Sequence, residues 1–249
     1  MKVALIQFNA GLNKSQNISR AKDFVHRAAL GGGQLVLLPE GFLLRADAAT
    51  PRMIAEAAEP IDGPTVREFQ QLAREHKIYL VLGSIYERRR RGRPYNTMVV
   101  ISPDGKRISR YRKIHLFAAK VQGRHIQEEA LFSPGKERSF FRMGRFLMGS
   151  AICYDLRFPE MFGNEKRRRC DVFVVPSCFT RETGKAHWEV LLRARAIENK
   201  AYVLAPNQCG KGSSFGLAAF GNSMVVDPWG RIVARASGNK QEVLFANIK

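Results

Sequence analysis

Nine short stretches, residues 3–8, 35–38, 79–82, 97–101, 146–152, 172–175, 202–205, 223–226 and 242–246, are continuously apolar or rich in β-branched residues. Runs this short, closed at both ends by polar or turn-forming residues, predict strands buried on both faces of a sheet. Three longer segments, residues 18–30, 65–75 and 187–198, carry apolar residues at intervals of three and four, as Leu191, Leu192 and Ala196 show, and predict amphipathic helices. Strands interleaved with helices make this an α/β chain.

The order of these segments repeats. LVLLPEGF (35–42) parallels VFVVPSCF (172–179), IYLVLGS (78–84) parallels AYVLAPN (201–207), and MVVISPDGKRI (98–108) parallels MVVDPWGRIV (224–233). Three matches in one order predict two similar α/β halves, each a sheet with helices on one face, packed sheet to sheet as a four-layer αββα sandwich. Pro-Asp-Gly at 103–105 and Pro-Trp-Gly at 228–230 each follow a strand and precede an alternating run, so both predict hairpin turns. The glycines at 31–33 read as a helix-to-strand connector, and the arginine run at 88–93 with Pro94 as a solvated hairpin tip. No segment has the composition of a linker, so residues 1–249 are expected to form a single domain.

Composition supports a packed core: 45% of the 249 residues are hydrophobic, with 16 Phe, 6 Tyr and 2 Trp, which excludes a disordered or fibrous chain. Charge is more unusual, since 41 Lys and Arg against 22 Asp and Glu give +19, enough to attract polyanions without a dedicated site. The cations cluster in Arg88 to Arg93, in Lys106, Arg107, Arg110, Arg112 and Lys113, and in Lys166, Arg167, Arg168 and Arg169. Polyanion or nucleic-acid binding is therefore the alternative from a different functional class. No RNA-recognition signature, phosphate loop or zinc-finger spacing accompanies the cations, and no specific nucleic-acid partner is expected.

The start, MKVALIQFNAG, is too short and too soon polar for an export signal, and no run approaches the roughly 20 apolar residues of a spanning helix. A cytoplasmic protein without a membrane partner is the expectation. Cys153, Cys170, Cys178 and Cys209 contain no CxxC pair, so neither a metal site nor another cofactor is expected.

Candidate chemistry lies at strand ends. Glu40 follows LVLLP, Lys113 closes the alternating run RISRYRK, and Cys153 follows RFLMGSAI. A cysteine nucleophile needs a proton acceptor and a positive neighbour, because the thiolate is the attacking species. Glu40 in a dry pocket would serve as general base, and Lys113 would stabilise charge on a carbonyl oxygen together with a main-chain N–H. His187 is a second candidate base, since Cys–His pairs are common on other folds; it is expected to open its helix. An Asp155–Arg157 ion pair is expected to brace the turn after Cys153, with binding of a substrate carboxylate as the other reading of Arg157.

LLPEGF, YRKIHLF and SAICYDLRFPE, in this order, resemble the glutamate, lysine and cysteine motifs of the nitrilase superfamily, the carbon–nitrogen hydrolases. The resemblance extends from KVALIQ to VLFANI and implies an αββα sandwich, a Glu40–Lys113–Cys153 triad, and a second active-site glutamate at Glu128 in HIQEEALFSPG. CFTRETGKAHWEVLLRARAIENKAYVLAPNQCG resembles the branch acting on deaminated glutathione and related ω-amides of keto acids. It implies hydrolysis of a small amide by water, with Tyr154, Arg157, Phe179, Thr180 and His187 as supporting or substrate-binding positions, and a homodimer. N-carbamoyl or simple aliphatic amides are the alternative substrates. Arg193, Arg195, Glu198 and Asn199 fall at positions that buttress the core and the site. The segment MFGNEKRRRC stands where relatives are rich in Leu and Ala, implying a basic face near the site entrance or a subunit contact.

Overall fold

The computed structural model describes residues 1–121, 123–163, 169–211 and 216–249. The basic cluster at 166–168 lies outside them. In chain order the elements are β1 (Lys2–Gln7), α1 (Lys14–Leu30), β2 (Leu35–Leu37), α2 (Pro51–Ala57), α3 (Pro64–His76), β3 (Tyr79–Glu87), β4 (Tyr95–Ile101), β5 (Arg107–Arg112), β6 (Ala118–Val121), β7 (Arg124–Gln127), β8 (Phe140–Met143), β9 (Phe146–Ser150), β10 (Val172–Val174), α4 (Arg181–Asn199), β11 (Tyr202–Ala205), β12 (Cys209–Lys211), β13 (Ala218–Phe220), β14 (Met224–Val226), β15 (Ile232–Arg235) and β16 (Glu242–Asn247).

Two six-stranded sheets carry the fold, with orders β16-β1-β2-β3-β4-β5 and β8-β9-β10-β11-β14-β15. Their pairings match strand for strand. In each, an antiparallel outer pair leads into two parallel pairs and then two antiparallel ones. The repeated sequence segments occupy equivalent places: Leu35 pairs with Tyr79 in one sheet as Val172 pairs with Tyr202 in the other. Lys77 and Lys200, with φ of 51° and 50°, close α3 and α4 in the left-handed region just before β3 and β11. The two Pro-X-Gly turns make the β4–β5 and β14–β15 hairpins, as their sequence predicts.

Alternation along the strands sorts side chains between layers. Val3, Leu5, Leu35, Leu37, Val81 and Val100 join Met148, Val172, Val174 and Val203 in the core that includes residues of both sheets. Their neighbours Ala4, Ile6, Val36, Leu38, Leu80 and Val99 pack instead against Phe24 and Val25 of α1 and Val66 and Phe69 of α3. With both faces covered, the strands need to be continuously apolar, and burying a side chain such as Phe69 stabilises the fold by about 1.5–3 kcal/mol. The second half covers its outer face with α4, whereas two 3-10 turns, Cys153–Arg157 and Pro159–Met161, stand after β9 where the first half has α1.

The α4 helix begins at Arg181, capped by the Thr180 side chain, which accepts a hydrogen bond from the Thr183 N–H. His187 therefore lies in its second turn and does not open it; the early polar residues of α4 hid its start. The β6–β7 hairpin and α2 are further additions, both formed by segments of mixed polarity without a clear period. The Arg88 to Arg93 tip is exposed throughout. Among the described residues, no helix is long and apolar enough to cross a membrane.

Candidate active site

The C-terminal ends of three strands deliver the site. Glu40 lies just past β2, Lys113 directly follows β5, and Cys153 lies just past β9. Gly83 permits the Glu40 turn to sit against β3: a Cβ there would stand 2.0 Å from the Leu38 carbonyl oxygen. Gly41, with φ of +65°, turns the chain, and its N–H donates to Ser84 Oγ at 2.8 Å.

Lys113 is fully buried and bridges two carboxylates. Its Nζ donates to Glu40 Oε1 at 2.8 Å and to Glu128 Oε2 at 2.7 Å. Asn96 Nδ2 donates to the same Glu40 oxygen at 2.9 Å. The Phe117 N–H donates to Glu128 Oε2 at 2.8 Å, while the Glu128 N–H donates to the Phe117 carbonyl at 2.9 Å. Adjacent Glu129 is exposed, so the geometry separates the two glutamates that the sequence leaves side by side.

Cys153 opens a 3-10 turn with φ of 48°, a left-handed conformation that costs energy for any residue with a Cβ and presents its side chain from a sharp bend. Its N–H donates to the Pro176 carbonyl at 3.0 Å. Burial and the Glu40 charge push the Cys153 thiol well above its ordinary range, with Lys113 pulling the other way. Burial pulls the Lys113 ammonium down, but Glu128 and Glu40 hold it well above its usual range. Glu128 is raised, chiefly by burial, with Lys113 opposing and Glu40 adding to the rise. One buried ammonium thus stands between two carboxyl groups, beside a thiol whose ionisation burial disfavours.

One pocket collects these groups. Glu40, Asn96, Glu128 and Cys153 line it together with Tyr154, Arg157, Phe179 and Thr180. The Arg157 guanidinium lies 5.6 Å from both the Tyr154 and Phe179 ring centres and 3.3 Å from His187 Nδ1. It has no carboxylate partner among the described residues. The expected Asp155–Arg157 ion pair does not form, because Asp155 is fully buried facing Tyr111, His115 and the Ile152 N–H while Arg157 points into the pocket. His187 is exposed and touches Arg157, outside the pocket lining, so the structure does not bring it to Cys153 as a base.

Arg195 is buried, donating to the Leu156 carbonyl at 3.1 Å and pairing with Glu198 at 2.9 Å, and so supports the Cys153 turn from behind. Arg193 Nε donates to the Gly230 carbonyl, and Asn199 Nδ2 to the Arg195 carbonyl.

Several pocket groups carry no local sequence signal. Asn96 and Phe117 become site residues only because the start of β4 and the segment after β5 lie beside Glu40 and Glu128. Arg45, 1% exposed, also lines the pocket, where Asp47 grips it through two oxygens and the Leu217 carbonyl accepts from it at 2.8 Å. Cys178 lines the same pocket, its thiol pushed up by burial, with Arg45 opposing. Asn96 is the exception, a polar residue at the start of an apolar strand.

The carbon–nitrogen hydrolase family matches this chain across residues 2–249. Human omega-amidase NIT2 is 39% identical over 250 residues, covering 99% of this chain and 88% of that protein, and the Xenopus tropicalis omega-amidase NIT2 is 38% identical over 248. Among solved structures, Saccharomyces cerevisiae Nit3, a member of branch 10 of the nitrilase superfamily, superposes with a TM-score of 0.87 at 35% identity, covering 99% of this chain and 89% of that one. A glutamate-to-glutamine variant of the Nesterenkonia sp. AN1 amidase, showing Michael addition of acrylamide at its active site cysteine, superposes with a TM-score of 0.85 at 27% identity, covering 100% and 93%. The match over nearly the whole chain, on the fold that gathers Glu40, Lys113, Glu128 and Cys153, makes this protein a member of the carbon–nitrogen hydrolase family of the nitrilase superfamily, an amidase acting on non-peptide carbon–nitrogen bonds.

Proposed function

We propose that the enzyme hydrolyses the terminal amide of a small carboxylate-bearing substrate, an ω-amide of a keto acid such as deaminated glutathione or α-ketoglutaramate, through a thioester on Cys153. Glu40 takes the thiol proton as sulfur attacks the amide carbon. The developing oxyanion receives hydrogen bonds from Lys113, whose ammonium has a third N–H beyond the two given to carboxylates, and from a main-chain N–H of the Cys153 turn. The carbon–nitrogen bond then breaks, the leaving nitrogen takes the proton from Glu40, and ammonia departs. Water attacks the thioester as Glu40 accepts one of its protons; the carbon–sulfur bond breaks, Glu40 returns that proton to the sulfur to restore the thiol, and the carboxylic acid formed releases its remaining proton to solvent and departs as a carboxylate. Glu128 holds Lys113 in place throughout.

The observation that carries the substrate class is Arg157, a cation on the pocket wall between Tyr154 and Phe179 that has no carboxylate partner among the described residues. The omega-amidase relatives support the same reading. An ammonia-release screen over deaminated glutathione, α-ketoglutaramate, N-carbamoyl amino acids, simple amides and nitriles tests it. A charge-assisted hydrogen bond of about 1.5–3 kcal/mol predicts that carboxylate-bearing ω-amides exceed neutral amides roughly tenfold or more in kcat/KM. Equal turnover of a simple aliphatic amide would sink the assignment in favour of the aliphatic reading.

The +19 charge has a consequence for the same substrate class. Attraction of an anionic amide weakens as the Debye length shrinks from about 10 Å at 0.1 M salt to about 3 Å at 1 M. Raising NaCl should therefore raise KM for an anionic amide, change kcat much less, and leave a neutral amide nearly unaffected. Equal salt dependence for the two would reject electrostatic steering.

We further propose a symmetric homodimer. Val190 and Ile197 of α4 and Trp229 of the adjoining β14–β15 turn are 68%, 51% and 77% exposed, an apolar face such a dimer would cover. Light scattering at micromolar concentration should give about twice 28.1 kDa; a monomeric mass with full activity would rule the dimer out as a requirement.

A further inference from the structure

Asp155 is fully buried, and nothing in the hydrolytic cycle uses it. Its Oδ1 accepts from the His115 N–H at 2.9 Å and contacts His115 Nδ1 at 2.8 Å; its Oδ2 accepts from the Tyr111 hydroxyl at 2.6 Å and the Ile152 N–H at 2.9 Å. Tyr111 and His115 stand two residues before and two residues after Lys113. Ile152 and Asp155 itself bracket Cys153. Three of the four contacts, those of Tyr111 and His115, therefore connect the lysine-bearing segment with the cysteine-bearing turn across the boundary between the two sheets, and the fourth, from Ile152, braces the turn itself.

This connection falls at the edge of the first sheet. Strand β5 is the last strand of its sheet, paired only with β4, and Lys113 lies just beyond its end. Its own main chain is held by the Asn96 carbonyl at 2.9 Å and the Gly135 N–H at 2.8 Å, both on the first-sheet side. On the other side, the Cys153 turn has left β9 in a left-handed conformation. His115 adds a second grip: its ring stacks on Phe158 at 3.6 Å with 7° between planes, and the Phe158 N–H donates to the Asp155 carbonyl at 3.0 Å. Phe158 in turn meets the edge of Tyr154 on the pocket wall. Burial and Asp155 raise Tyr111 far above the ordinary phenol range, so its hydroxyl keeps the proton it donates.

We propose that Asp155, acting through Tyr111 and His115, is a positioning residue that sets the placement of Lys113 relative to Cys153. It rests on the roles proposed for those two residues. Misplacing a reacting or stabilising group by about 1 Å costs on the order of 10² in rate, whereas binding of the distal part of the substrate is untouched. Loss of this connection should therefore appear in kcat and in cysteine reactivity rather than in KM.

Tyr111→Phe keeps the buried ring and removes one donor; His115→Phe keeps a ring to stack on Phe158 and removes the Nδ1 contact. Each should lower kcat roughly tenfold or more with KM within about twofold and Tm near wild type, and Asp155→Asn should lower it further if it folds. Acrylamide gives the independent readout: the Cys153 sulfur adds to its terminal alkene carbon, the thiol proton ends on the neighbouring carbon, and nothing leaves. Intact mass and peptide mapping should show slower adduct formation at Cys153 in both variants, with Cys170, Cys178 and Cys209 as protected as in wild type. Wild-type kcat in both variants would overturn the proposal. So would a loss of activity accompanied by lowered Tm and alkylation of all four cysteines, which would make Asp155 merely structural. An active Cys153→Ala enzyme would instead remove the catalytic assignment itself, so the two failures are distinguishable.

Discussion

Cys153→Ala should abolish amide hydrolysis, lowering kcat/KM by roughly four orders of magnitude or more, while the protein stays folded. The substitution removes only the sulfur from a side chain already buried at the pocket floor, and alanine meets the same backbone cost at φ of 48° that cysteine does. A destabilisation of about 1 kcal/mol is expected, typical of a single substitution. The other cysteines make the comparison specific. Burial holds the Cys170 and Cys209 thiols up at about 11, and neither lines the pocket in which Cys153 meets Glu40. Their alanine variants should retain most activity. Cys178→Ala should also keep kcat, with any change confined to KM because Cys178 lines the pocket. Steady-state ammonia release on the best amide, with intact mass to detect the acyl adduct in wild type, measures both sides. Turnover by purified Cys153→Ala comparable to wild type would remove the nucleophile assignment.

Lys113→Met should be nearly as damaging, and for two reasons that separate experimentally. Removing the ammonium takes away a donor aimed at developing charge, a loss of roughly 10² or more in kcat. It also leaves Glu40 and Glu128 as buried carboxylates without the shared partner, and breaking such a pair costs about 3–5 kcal/mol. Part of that cost is relieved if one carboxyl takes up a proton. Glu128 is already raised in the folded enzyme by burial, and losing Lys113, which opposes that rise, raises it further. A carboxyl raised on folding stabilises the protonated folded state at low pH and loses that contribution as pH climbs through its folded value. The Tm deficit of Lys113→Met should therefore be largest near pH 8 and narrow toward pH 5, while the loss in kcat persists at both. A deficit independent of pH would show that the carboxylates are not the source of the instability. Glu40→Gln offers the complementary case, keeping the shape and a hydrogen-bonding oxygen but unable to accept the Cys153 proton.

Much of the fold was written locally. A strand covered on both faces must be apolar at successive positions, and a helix lying on a sheet must repeat at three and four, so nine strands, three helices and the doubling of the α/β unit were readable before any coordinates. Glu40, Lys113 and Cys153 were readable as polar residues at strand ends whose chemistry fits together, while Glu128 stood out from Glu129 only by resemblance to a family. What the local pattern could not contain is the choice of partners. Asp155 sits two residues from Arg157 yet spends its hydrogen bonds on Tyr111 and His115, 44 and 40 residues away. Asn96 reaches Glu40 across 56 residues, and Arg157 enters the pocket against Tyr154, Phe179 and His187. The start of α4 and the β6–β7 hairpin lay in polar segments whose folding depends on the surfaces they cover. Hydrophobic periodicity is a property of the covalent chain and its immediate geometry, so the sequence alone determines it. A buried polar group is satisfied by whichever donor the packed sheets bring within 3 Å, and only the tertiary structure decides that.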